Sequence, residues 1–128
     1  MHRETLECHD IVLRAVLRSS NIDREKNVVL FADFLLRTFE DGSKEENLSV
    51  LYDCSPEECA ADFRKCYGVA TLHIGRIRNL GLDVKPDSDQ ADDVRLPHAE
   101  IAGLPHKKDN PAEAERFARQ LQRQARLT

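Results

Sequence analysis

Residues 68–105, GVATLHIGRIRNLGLDVKPDSDQADDVRLPHAEIAGLP, decide the fold. Val69-Ala70-Thr71-Leu72-His73 reads as a strand of apolar and β-branched residues. Ile74, Ile77 and Leu80 then recur at helical spacing, and Gly81 stops the short helix they define. Leu82-Asp83-Val84-Lys85 is a second strand, closed by Pro86. An acidic loop covers Asp87 to Asp93, and His98-Ala99-Glu100-Ile101-Ala102 is a third strand between Pro97 and Gly103. Strand, short helix, strand, loop, strand implies a sheet-containing core and excludes a helical bundle.

Toward the C-terminus, Asn110 is placed to cap a helix with Pro111 at its first position. Ala114, Phe117, Ala118, Leu121 and Ala125 form its apolar stripe, and Arg116, Arg119, Arg123 and Arg126 its charged face. Toward the N-terminus, Ser55, Pro56 and Glu58 spell a capping box. Cys59, Phe63, Cys66 and Tyr67 continue that helix on one stripe, with Gly68 as its left-handed stop. Leu48 to Asp53 alternates as a strand. Residues 11–18 fit a strand that parts Arg14 and Arg18 from Ile11, Leu13, Ala15 and Leu17. They also fit a short helix, although their β-branched content favours the strand. Residues 28–39 fit either state. A helix would group Val28, Phe31, Leu35 and Phe39, whereas a strand would add Asp33 to the buried side. The expectation is a single α+β domain over 1–128. Its mixed or largely antiparallel sheet is packed by a helix at about 56–67 and a C-terminal helix at about 111–126.

The longest mostly apolar run, Val28 to Leu36, is interrupted by Asp33 and is too short to span a bilayer. MHRETLECHD lacks the apolar stretch of a secretory signal, so a cytoplasmic location with reduced thiols at Cys8, Cys54, Cys59 and Cys66 is expected. The net charge of −4 argues against general nucleic-acid affinity. That charge is uneven: five Asp against one Lys in 83–93, but six Lys or Arg against three acids in 105–128.

No complete catalytic motif, phosphate loop or metal signature is present. Cys54, Cys59, Cys66 and His73 would suit zinc by ligand type, but no C-x-x-C pair sets their spacing. Cys54 precedes a helix N-terminus, where the dipole favours a thiolate. His98 and Glu100, two residues apart in one strand, share a face and are candidates for acid–base work or ligand binding.

The order of Leu48-Ser49-Val50, Ser55-Pro56-Glu57-Glu58, the 68–83 stretch and His98-Ala99-Glu100-Ile101-Ala102-Gly103 resembles a group of small bacterial proteins without assigned activity. That resemblance implies a compact α+β domain. Arg14 in IVLRAVL and Ser49 in LSVLYD are similar to the two strand positions that flank the nicotinamide cleft of ADP-ribosyltransferase-like folds. The third position of that pattern would fall on Glu100 or His98.

The leading expectation is a non-enzymatic protein-interaction or regulatory module of a bacterial cytoplasm, accessory, immunity or antitoxin-like. It would act on another protein through Asp87, Asp89, Asp92 and Asp93 and through Arg116, Arg119, Arg123 and Arg126. No cofactor is implied, and a homo-oligomer is compatible. The first alternative is a small NAD-handling or nucleotide-transferring enzyme using Arg14, Ser49, His73, His98 or Glu100. The second is a zinc-stabilised module built on Cys54, Cys59, Cys66 and His73.

Overall fold

The computed structural model describes residues 3–87 and 96–128. The strands are β1 (Ile11–Val16), β2 (Ile22–Asp23), β3 (Val28–Val29), β4 (Leu48–Leu51), β5 (Gly68–His73), β6 (Asp83–Pro86), β7 (His98–Ala102) and β8 (Arg126–Leu127). The helices are α1 (Pro56–Ala61), α2 (Ile74–Asn79) and α3 (Pro111–Gln124). Six strands form one antiparallel sheet in the order β6-β7-β4-β1-β5-β8, and β2 with β3 makes a separate ribbon. The fold is α+β. No described helix is long and apolar enough to cross a membrane.

Period-two alternation sorts the sheet into two faces. Val12, Val16, Leu48, Val50, Ala70, Leu72, Val84, Ala99 and Ile101 point into the main core. Ile74 and Ile77 of α2, Ala118 and Leu121 of α3, and Phe34 close over them. On the other face Leu13, Leu51 and Val69 form a smaller cluster with Cys59 of α1 and Leu96. α1 packs on β1 and β5, and among the described residues no helix packs on the corresponding face of β4 and β7. Ser49, His98 and Glu100 lie on that face.

The helix ends follow their local chemistry. Ser55 Oγ accepts from Glu58 N while Glu58 Oε1 accepts from Ser55 N, completing the capping box, and Asn110 caps α3 through Glu113 N. Gly81 takes φ 89° after α2, the left-handed stop expected of it.

Four sequence expectations are corrected. The helix at 56–67 ends at Ala61, and Gly68 is the first residue of β5 rather than its stop. Leu127 packs close over it, its Cδ1 2.8 Å from where a Cβ would stand. Residues 28–39 form neither one strand nor one helix; β3 gives way to a single 3₁₀ turn at Phe31–Phe34. Within that stretch Val29, Asp33, Phe34 and Leu36 are buried, while Val28 and Phe39 are exposed. Finally, α3 stops at Gln124, so Arg126 belongs to β8 beside β5 and not to the helix face.

Candidate functional site

The sheet has a seam. β1 pairs with β5 over six residues, from Ile11↔His73 to Val16↔Gly68, and β4 pairs with β7 over four. Between these halves β1 and β4 pair at Leu13↔Leu51 alone. Continuing that register would set Ala15 opposite Ser49, yet the Ser49 carbonyl instead accepts from Arg14 Nη1 at 2.8 Å. A side-chain guanidinium therefore fills the place of a ladder hydrogen bond, and the strands part around it.

Arg14 can occupy this seam because its charge is matched. Its Nε donates to Asp33 Oδ2 at 3.0 Å and to the Asp33 carbonyl at 3.0 Å. Asn21 Nδ2 satisfies Asp33 Oδ1 at 3.1 Å. The two charged side chains are only 13 % and 7 % exposed, so each depends on the other. This pairing also explains why the 3₁₀ turn replaces a regular element: Asp33 has to reach β1.

A cleft of about 1090 Å³ runs along the seam. Arg14, Ser49 and His98 line it, together with Asp33 and Asp87. Arg18, Arg37 and Lys107 bring positive charge to it, and Phe39 and Phe63 bring aromatic rings. At its polar end His98 Nδ1 lies 2.9 Å from Asp87 Oδ2, and the Asp87 N–H donates to the His98 carbonyl at 2.9 Å. Glu100 stands directly across from Ser49 in the β4–β7 register, its Oε2 accepting from Asn47 Nδ2 at 2.7 Å.

His73 is elsewhere. It precedes α2, exposed, in a separate hollow of about 450 Å³ lined also by Cys8, Arg76 and Arg78. It does not join the Arg14, Ser49 and His98 group. Among the described residues, the metal-ligating groups with three or more ligand atoms within 4.8 Å of one another comprise Asp87, His98 and Glu100, and no set drawn from Cys54, Cys59, Cys66 and His73. Burial pushes the Cys54 thiol up to about 11, helped by the nearby charges of Glu58, Asp53 and Asp62. Desolvation and these three acids act against the thiolate that the N-terminus of α1 would favour. Burial likewise pushes Cys59 up to about 12.

The arginine face of α3 is largely engaged within the protein. Arg116 pairs with Glu113 and covers the Phe117 ring at 4.4 Å. Arg119 pairs with Glu115 at 3.3 Å and covers the Phe31 ring at 4.1 Å. Arg123 is exposed on the same helix. Asp89, Asp92 and Asp93 lie outside the described residues.

The sequence pointed to Arg14, Ser49, His98 and Glu100 and placed Asp87 in an acidic interaction loop rather than beside His98, but it did not mark Asp33. Asp33 carried a usable signal: a lone charge inside an apolar run must be paired if it is buried. Compared with protein families, curated proteins and solved structures, the chain matches none.

Proposed function

We propose that the protein is a small nucleotide-handling enzyme, with NAD and related adenine nucleotides as its ligand class, and that the ligand lies along the β1–β4 seam. The observation that carries this reading is the single cleft that Arg14, Ser49 and His98 all line, Arg14 from the main-core side of β1 and Ser49 and His98 from the opposite face of β4 and β7. Its volume has room for a nucleotide-sized molecule, lying just above the roughly 300–1,000 Å³ common for such sites. Arg18 and Lys107 supply charge for phosphate oxygens, Arg37 being paired with Glu45, and Phe39, an exposed ring, supplies a face for a base.

The ADP-ribosyltransferase-like resemblance fits the same geometry. Arg14, Ser49 and Glu100 sit on the adjacent strands β1, β4 and β7. Arg14 binds the Ser49 carbonyl, and Ser49 faces Glu100. In this reading Arg14 is a positioning residue, because Asp33 already neutralises its charge. Ligand recognition falls to Ser49, His98 and the cations lining the cleft.

Isothermal titration of NAD, ADP-ribose and AMP into the full chain tests the proposal. Saturable binding that Lys107→Glu and Arg18→Glu each weaken about tenfold, or about 1.4 kcal/mol, is expected. Failure of all three nucleotides to bind would overturn it and return the protein-interaction module to first place.

A further inference from the structure

We infer that Asp87, His98 and Glu100 form a divalent-cation site at the polar end of the cleft. The inference rests on the β6–β7 geometry and does not require the nucleotide reading. One ligand atom from each residue lies within 4.8 Å of those from the other two. His98 Nδ1 and Asp87 Oδ2 are 2.9 Å apart. Two adjacent ligands of an octahedral ion bonded at about 2.1 Å are separated by about 3.0 Å, so the pair can span one edge of such a sphere without rearrangement.

The supporting backbone is ordered by strand pairing. His98 and Glu100 are on one face of β7, and the Asp87 N–H is tied to the His98 carbonyl. Asn47 fixes the Glu100 carboxylate through Oε2, the outer-shell bond that orients a ligating carboxylate. Asp87 and His98 have side chains only 24 % and 25 % exposed. Lys85 stands opposite Glu100 in register, but it makes no ion pair with it among the described residues.

The donor set is one imidazole nitrogen and two carboxylates, without thiolate. It suits Mn²⁺, Mg²⁺ or Zn²⁺ and disfavours Cu(I). Because Asp87 and His98 also line the cleft, an ion held here would present its remaining coordination positions to the cleft's contents.

Mn²⁺ alone is the suitable probe, since the thiols Cys8, Cys54 and Cys66 compete for Zn²⁺. The first measurement is a titration of the full chain with Mn²⁺, following free ion by electron paramagnetic resonance. One saturable site per chain is expected, weakened at least about tenfold by His98→Ala and by Glu100→Gln. His73→Ala is expected to leave it unchanged. Uptake that does not saturate, or that survives both variants, would overturn the site. The second measurement needs no substitution at a ligand. Mn²⁺ broadening of amide signals in the unaltered protein is expected to centre on Asp87, His98 and Glu100, and broadening centred elsewhere would equally overturn it.

Discussion

Arg14 Nη1 donates to the Ser49 carbonyl at 2.8 Å, across the place where β1 and β4 part. The bond makes one side chain a structural member of the sheet, and its partner Asp33 holds it there. Arg14→Ala would leave Asp33 buried without its counter-charge, a loss of about 3–5 kcal/mol. Urea denaturation is expected to show that loss. The double variant Arg14→Met with Asp33→Leu is expected to recover much of it, since neither charge is then left alone in the protein.

The α1 capping box predicts a smaller effect. Ser55→Ala removes the acceptor of the Glu58 N–H and is expected to cost about 1 kcal/mol in the same assay. Cys59, on the buried side of α1, would report local loosening by faster alkylation.

Thiol reactivity follows from burial. Cys8 is exposed, whereas Cys54 and Cys59 are pushed up to about 11 and about 12. Iodoacetamide near pH 8 is therefore expected to label Cys8 first, Cys54 slowly, and Cys59 only on unfolding. Peptide mass spectrometry over time gives the order. Rapid labelling of Cys54 would show that its helix N-terminus governs it after all.

Acid sensitivity has a definite sign at Asp10. The Arg3 guanidinium at 2.9 Å and the Glu7 N–H at 2.7 Å hold its carboxyl below the ordinary 3.8. A carboxyl with a lowered folded-state pKa adds stability above its unfolded value, and that stability is lost as pH falls through the folded one. Urea midpoints are thus expected to fall with pH below 3.8, and Asp10→Asn to flatten that part of the profile.

Elements specified by neighbours in sequence were legible before the structure. Ser55 with Glu58, Asn110 with Pro111, and Gly81 each carry their own punctuation, and β7 follows from the bounded run His98–Ala102. Residues 28–39 were ambiguous because Asp33 is placed by Arg14, nineteen positions earlier, and not by its own periodicity. β8 is two residues long and exists through pairing with Ala70 and Thr71, leaving no pattern of its own. At the site, strand alternation put His98 beside Glu100 correctly. It could not bring in Asp87, which is set by the β6–β7 register, nor exclude His73, which lies at the far end of β5. At Cys54 the acids Asp53, Glu58 and Asp62 are sequence neighbours, and only the burial comes from tertiary packing.

The most direct test of the account is an amide chemical-shift map of the protein titrated with NAD. Saturable shifts are predicted to cluster on Arg14, Ser49, Phe39 and His98, the residues along the seam. Shifts centred on Cys8, His73 and Arg78, or no saturable shifts at all, would contradict a nucleotide cleft between β1 and β4.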